Sequence, residues 1–143
     1  MTSNYEADYY AWTQQQSTLL RARQPNELDW ENLAEEIESM GRQERRELIN
    51  RLRILLAHLL KWNYQPERRG VSWEATIAAQ RDDIQDLLKD NPSLKPFLQE
   101  AFAAGYHKGR LLAIAETNLS PSTFPTEPTF DLDYALAGDL EQE

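Results

Sequence analysis

The most distinctive side chains of the sequence lie between residues 61 and 81, where tryptophans stand among cations and amides. Indole rings beside ammonium and guanidinium groups can stack on flat ligands or hold a partner's carboxylates. The residues that we predict to bind a partner are Lys61, Trp62, Gln65, Arg69, Trp73, Thr76, Gln80 and Arg81. The alternative is a structural corner, in which Trp62 and Trp73 pack across a turn while Gln65 and Thr76 bond its backbone groups.

Arg53 and His58 form a second candidate pair, with four residues between them. The pair is similar to the signature of helical ribonucleases of the HEPN superfamily, in which four to six residues separate an arginine from a histidine. The resemblance implies metal-independent RNA cleavage by a dimer, in which His58 takes the proton of the ribose hydroxyl and Arg53 holds the phosphate. That signature usually has a polar residue after the arginine, whereas Ile54 follows here. The alternative is a boundary histidine that donates to a carboxylate of the preceding helix.

Carboxylates on one helix face could bind a divalent metal ion. Glu35 and Glu38 share a face at a spacing of three residues, and His58 or Glu116 could complete the set of ligands. Helical di-metal proteins, however, use Glu-x-x-His pairs, and this sequence contains none. The alternative is a solvated acidic face, or ion pairs with nearby arginines, namely Arg45, Arg46 and Arg51.

Composition limits the possible chemistry and location. The 143 residues include no cysteine, which excludes disulfides, zinc thiolate sites and thiol nucleophiles. No motif predicts a cofactor. The first residues lack the basic and apolar regions of a signal peptide, and no apolar run reaches the ~18 residues of a membrane span. We therefore expect a soluble cytoplasmic protein that does not associate with membranes.

Charge is unevenly distributed along the chain. The net charge of −9 divides into −6 for residues 1–38, +5 for residues 39–69, −2 for residues 70–116 and −6 for residues 117–143. The basic centre could meet a polyanion, or the acidic flanks could fold back on it. Overall repulsion disfavours nucleic acid as a partner without excluding it.

Apolar residues recur with helical periodicity, and no segment alternates with the period of a strand. The sequence therefore predicts an all-α fold and one domain, a single bundle of four to five helices over residues 5–117. A Pro-containing acidic tail, residues 118–143, is expected to form an extended C-terminal strap. Phe124 and Phe130 of this tail are expected to dock on the bundle, with a short helix around residues 132–136.

Several residues predict where the helices begin and end. Pro25 ends the first helix, and Asp29 caps the second. Gly41 favours a break or kink within the second helix. Ser72 and Ser93 are the expected caps of the next two helices. Small residues let another backbone approach the last helix closely: Ala103, Ala104, Gly105 and Gly109.

Several sequence blocks occur in a fixed order: DYYAW, DWENLAEEIESMG, LLAHLLKW, SWEATI followed by QR, PSL, Glu116-Thr117 and Phe124-Pro125. Together they resemble the bacterial family called domain of unknown function 29, over residues 5–139. The resemblance implies an all-helical bacterial protein with no assigned activity. Two departures from the family pattern are Gln43, where we expect serine, and residues 127–130, where we expect an aromatic-rich Cys-Pro-Trp-like end.

The sequence therefore predicts a small non-catalytic protein-interaction module, whose partner is another protein or a second copy of the chain. This interpretation rests mainly on the lack of a strong catalytic set and of metal-binding spacing in the sequence. Two alternatives stay open: the ribonuclease that uses Arg53 and His58, and a helical protein that binds a divalent metal through carboxylates.

Overall fold

The computed structural model describes residues 5–142, and its regular elements are all helical. The five α-helices are α1 (Tyr9–Arg21), α2 (Trp30–Tyr64), α3 (Val71–Asp90), α4 (Leu98–Thr117) and α5 (Leu132–Ala137). The predicted all-α fold of four to five helices is confirmed, and no strand occurs within the described range. No helix between residues 5 and 142 has both the length and the apolar character needed to cross a membrane.

The chain divides into two compact units, Met1–Gln43 and Glu44–Glu143. The first unit contains α1 and the beginning of α2. The second unit contains the rest of α2 together with α3, α4 and α5. A single domain over the whole chain stays a prediction.

Asp29 organises the first unit from its position immediately before α2. Its carboxylate accepts a hydrogen bond from the side-chain amide of Asn32 at 2.8 Å and a longer one from the Asn32 backbone N–H at 3.5 Å. The indole Nε1 of Trp12 donates to the same carboxylate at 2.9 Å, and Oε1 of Gln16 accepts from the Asp29 backbone N–H at 2.8 Å. Asp29 therefore caps α2 as predicted and also ties α1 to it.

Two tyrosines near the start of α1 form a second connection to α2. The hydroxyls of Tyr5 and Tyr9 both donate to the carboxylate of Glu36, at 2.6 Å for Tyr9. These hydrogen bonds raise the pKa of Tyr5 to about 12, raise the pKa of Tyr9, and lower the pKa of Glu36. The directions follow because the bonds stabilise the protonated phenols and the ionised carboxylate.

Two expectations about helix boundaries are wrong, one for α2 and one for α3. α2 continues through Gly41 without a break, because one glycine costs only about 1 kcal/mol in a helix and its neighbours are good helix formers. α3 begins at Val71 with Gly70 in the N-cap position, so Ser72 lies inside the helix instead of capping it.

The expected cap of α4 is also wrong. Ser93 lies within a 3-10 helix, Pro92–Phe97, and α4 begins only at Leu98. Pro96 explains the delay, because a proline disfavours the α conformation of the residue before it.

The core of the second unit is built on the leucine-rich part of α2. Fully buried leucines recur along it at helical spacing: Leu48, Leu52, Leu55, Leu56, Leu59 and Leu60. α4 approaches this surface at two of the predicted small residues. A Cβ atom on Gly105 would lie 2.8 Å from the Cβ of Leu52, and one on Gly109 would lie 2.8 Å from the carbonyl oxygen of Arg53. Only glycine permits so close an approach of the two helices.

The C-terminal tail packs on the second unit. Phe124 is fully buried and meets the ring of Tyr64 edge-on, with centroids 5.7 Å apart. Phe130 packs against Tyr106, with centroids 6.4 Å apart. The predicted short helix is α5, which begins at Leu132 and buries that side chain. The expected docking of both phenylalanines is therefore confirmed.

Candidate functional site

The eight residues predicted to bind a partner fall into three groups in the structure. The first group holds the C-terminal tail: Trp62 and Arg81 donate hydrogen bonds to it, and Arg69 donates to Trp62. Three others line a pocket: Lys61, Gln65 and Trp73. The last two, Thr76 and Gln80, lie on α3 outside the lining of that pocket.

Trp62 is buried at the end of α2 and faces the last residues of the chain. Its indole Nε1 donates a hydrogen bond to the backbone carbonyl of Glu141. Arg69 supports the ring, because its guanidinium carbon lies 5.3 Å from the ring centroid and its Nε donates to the Trp62 carbonyl at 2.8 Å. The expected packing of Trp62 against Trp73 across the turn stays a prediction.

Arg81, which lies on α3, also holds the tail. Its Nε donates to the carbonyl of Ala135 at 2.9 Å, and its Nη2 donates to the carbonyl of Tyr134 at 3.0 Å. Both acceptors belong to α5, and the Tyr134 carbonyl also accepts from the backbone N–H of Gly138 at 2.7 Å. Burial lowers the pKa of Arg81. The guanidinium therefore acts as a double donor to the end of α5.

Two further residues hold the beginning of the tail, and sequence analysis missed both. Arg110 donates from Nε to the carbonyl of Phe124 at 3.0 Å and from Nη2 to the carbonyl of Pro121 at 2.8 Å. The hydroxyl of Tyr106 donates to the carbonyl of Pro125 at 2.6 Å. No signal in the sequence could reveal these bonds, because a backbone carbonyl acceptor has no residue-type signature.

The pocket lies in the second unit where the end of α2, the start of α3 and the end of α4 meet. Its volume is about 430 Å³. It is lined by Lys61, Gln65, Arg68, Trp73, Glu116 and Thr117. We call it the Lys61 pocket. Arg68 and Thr117 were not among the predicted site residues, and Glu116 was predicted only as a metal ligand.

Lys61 is the chemical centre of this pocket. Its side chain is 9% exposed, and its ammonium donates to the carboxylate of Glu116, which is 46% exposed. The ammonium also lies 6.0 Å from the centroid of the Trp73 ring. A buried cation is costly unless it is paired, so the carboxylate and the ring face together make this position tenable. Glu116 is the one hydrogen-bond acceptor of the ammonium among the described residues, and an ammonium has three N–H donors.

The sequence family bears directly on this pocket. A family model described as "Domain of unknown function DUF29" matches residues 4–140. The chain belongs to the DUF29 family. The resemblance drawn from the sequence blocks is therefore confirmed, and the family description assigns no activity. Lys61, Trp73 and Glu116 lie in three of those blocks (LLAHLLKW, SWEATI and Glu116-Thr117), so the fold brings DUF29 blocks together in one pocket. No curated protein and no solved structure matches the chain.

Thr76 and Gln80 of this DUF29 chain do not line the Lys61 pocket. Thr76 is half-buried on α3. The Oε1 atom of Gln80 is buried without a hydrogen-bond partner among the described residues, as is Oδ1 of Asn63. Their assignment to a partner-binding site stays a prediction.

Arg53 and His58, the candidate ribonuclease pair, lie about 140° apart around the axis of α2, given about 100° for each residue. His58 donates from Nδ1 to the carbonyl of Ile54 at 2.9 Å, since a carbonyl can only accept. Its partner is therefore a backbone group of its own helix and not the expected carboxylate. Burial lowers the pKa of His58, and the nearby Lys61 lowers it further. Arg53 lines a surface depression together with Lys108, and His58 is not part of that lining.

The candidate metal ligands of the DUF29 chain have other partners. Glu35 and Glu38 both face Arg42, at 2.9 Å and 3.8 Å, and Glu116 binds Lys61. Within residues 5–142 no group of three or more His, Asp or Glu side chains is placed to hold a metal ion. The arginine that pairs with the acidic face is Arg42, and not the three arginines expected from the sequence.

Proposed function

We propose that this DUF29 protein is a non-catalytic protein-interaction module, and that its Lys61 pocket receives an acidic side chain of a protein partner. The observation that supports this proposal is the Lys61 ammonium, a buried cation with a single protein acceptor among the described residues. Such a group opens onto a pocket large enough for a side chain.

The chemistry of the lining favours a carboxylate as the ligand. Lys61 and Arg68 supply two cations and Glu116 one anion, so the lining has a net positive charge. A carboxylate can accept from an ammonium and a guanidinium at once, and hydrogen bonds between charged groups are stronger than neutral ones. The Trp73 ring shields one side of the ammonium from water, which strengthens that attraction.

Glu116 competes with the ligand for the same ammonium. Its carboxylate is half-exposed, so it can turn away when a partner's carboxylate enters. This competition gives the proposal a distinctive consequence. Removing the charge of Lys61 should weaken binding, whereas removing the charge of Glu116 should strengthen it.

The test is an array of peptides with a central Asp or Glu, matched to peptides with Asn or Gln at the same position. We expect the protein to bind a subset of the acidic peptides and not their amide counterparts. Lys61→Met should weaken this binding by about 10- to 100-fold, the value of a hydrogen bond between charged groups. Glu116→Gln should tighten it, because the amide still accepts from Lys61 without competing as an anion.

Lys89→Ala is the matched control, because it removes an exposed cation of the second unit outside the pocket. Circular dichroism of each variant establishes that it is folded. If no acidic peptide binds, or if folded Lys61→Met binds as well as wild type, the proposed function is wrong.

A further inference from the structure

The first unit exposes apolar side chains on one face of α2. The large apolar side chains that are exposed within residues 5–43 are Tyr9, Tyr10, Leu20, Trp30, Ile37 and Met40. Trp30, Ile37 and Met40 are 62%, 63% and 56% exposed. Their spacings of seven and three residues place them on one side of the helix. We call these three residues the α2 apolar face.

An acidic flank borders this face. Glu31 and Glu38 are exposed and lie about 80–100° from Trp30 around the axis of α2, given about 100° for each residue, whereas Glu35 lies further round the helix. Between Trp30 and Met40 the helix contains no basic residue. The α2 apolar face therefore has an anionic border, and a surface that covers it would need apolar and cationic groups together.

The second unit has a surface with that chemistry between α2 and α4. A depression of about 390 Å³ is lined by Asn50, Arg53, Lys108, Leu111 and Leu112. A smaller one of about 180 Å³ is lined by Arg46, Ile49, Asn50 and Lys108. Because Asn50 and Lys108 line both, the two depressions form one groove, which we call the basic groove.

The basic groove combines an apolar floor with cations. Leu111 is 51% exposed there. Arg46, Arg53 and Lys108 contribute three positive charges, no carboxylate lines the groove, and none of the three forms an ion pair within the described part of the chain. These cations lack a local counter-charge, so an anionic partner surface is favoured at this position.

We propose that the basic groove of one copy receives the α2 apolar face of a second copy. Ile37 and Met40 of one copy would cover the apolar floor beside Leu111, while Glu31 and Glu38, which border the face beside Trp30, would meet Arg53 and Lys108. Each chain contains both surfaces, so two copies can make the contact twice, reciprocally, as in a two-fold dimer. The second copy is the occupant because the glutamates that border its α2 apolar face have the opposite charge to the groove.

The first test measures mass by light scattering across a wide concentration range. Wild type should form a dimer. The face variant Ile37→Gln/Met40→Gln and the groove variant Lys108→Glu/Leu111→Gln should each raise the dimer Kd by about tenfold or more, because each removes apolar contact at the contact centre. Val71→Gln is the matched control, since Val71 is 80% exposed and lies on neither surface.

Mixing the variants separates this contact from any other mode of dimerisation. A mixture of the face and groove variants retains one intact contact per pair, so it should form a one-to-one complex that neither variant forms alone. Charge exchange gives a second check. Lys108→Glu alone and Glu38→Lys alone should each weaken the dimer, and mixing the two proteins should restore association.

Three results would overturn the proposal. They are a monomeric wild type at every concentration, a dimer unaffected by both folded variants, and a mixture that fails to form the complex. Binding of acidic peptides at the Lys61 pocket uses neither surface, so it should survive in the face and groove variants.

Discussion

The two acidic flanks of the chain have the same net charge, −6 each for residues 1–38 and 117–143, yet the structure uses them differently. In the first flank, carboxylates are the structural groups: Asp29 and Glu36 accept hydrogen bonds that join α1 to α2. In the second flank, backbone carbonyls accept hydrogen bonds from Arg81 and Arg110. Net charge therefore did not determine how either flank is held.

The flanks also differ in what they bury. The C-terminal flank places Phe124 in the core of the second unit, with 1% of its surface exposed. The N-terminal flank buries Trp12 but leaves Trp30 and Ile37 more than half exposed. The comparison teaches that an acidic segment docks where its aromatic residues find a cavity and its backbone finds donors, and that it otherwise leaves apolar side chains exposed.

The largest difference in stability between the flanks is expected when the buried aromatic residue of the C-terminal flank is removed. Phe124→Ala should lower the free energy of unfolding by about 3–5 kcal/mol, because it removes a buried ring and leaves a cavity. Trp30→Ala, the matched change in the exposed flank, should cost less than about 1 kcal/mol. Urea denaturation measures both, and equal losses would contradict the distinction between the flanks.

The next largest effect is expected at the donors to the tail. Arg81→Ala should cost about 1–3 kcal/mol, because it removes two hydrogen bonds from a charged donor to the carbonyls of α5. Hydrogen exchange of the α5 amides should speed up, while exchange in the middle of α2 should change less. Lys89→Ala serves as the control for charge removal on α3. Unchanged exchange in α5 would show that Arg81 does not hold the tail.

Two glycine substitutions should have opposite signs. Gly109→Ala should destabilise by about 1–3 kcal/mol, because its Cβ would meet the Arg53 carbonyl at 2.8 Å. Gly41→Ala should stabilise by about 0.5–1 kcal/mol, because it lies within α2 and a Cβ there has nothing within 4 Å. Thermal denaturation of the two variants gives the signs, and a destabilising Gly41→Ala would contradict the continuous helix.

The smallest effect is a pH dependence confined to the first unit. Because the pKa of Glu36 is lowered on folding, its stabilisation is present above the unfolded pKa and is lost as pH falls through the folded pKa. Because the pKa of Tyr5 is raised from 10.0 to about 12, its stabilisation is present below the unfolded pKa and is lost as pH rises toward 12.

Titration of tyrosine absorbance against pH measures the pKa of Tyr5 and so tests this effect. The difference between the titrations of wild type and Tyr5→Phe should show a group that titrates near 12, and Glu36→Gln should return it toward 10.0. A Tyr5 pKa that does not respond to Glu36→Gln would show that this carboxylate is not its partner.

Sequence analysis predicted the buried helix face and several of the residues at which elements pack together. The leucine spacing of α2 predicted its buried face, Gly105 and Gly109 predicted the close approach of α4, and the phenylalanines predicted docking of the tail. The helix starts at Val71 and Leu98 were missed, because residue-level capping preferences are weak beside the effects of prolines and of packing.

The candidate site was predictable only in part. The cluster of cations and tryptophans indicated the right region, but the sequence could not divide it into tail-binding and pocket-lining residues. Trp62 and Arg81 bond carbonyls that lie more than fifty positions away in sequence, and Lys61 meets Glu116 across a similar separation. Such pairings depend on tertiary contacts that no local pattern encodes.

The carbonyl acceptors of the tail have a consequence for sequence drift. Every residue type offers a carbonyl, so the bonds from Arg110, Tyr106 and Arg81 place little selection on the identity of the residues that they hold. A library of tail variants should therefore accept most replacements between Phe124 and Leu132, and should reject those at Phe124, Phe130 and Leu132, whose side chains pack on the second unit.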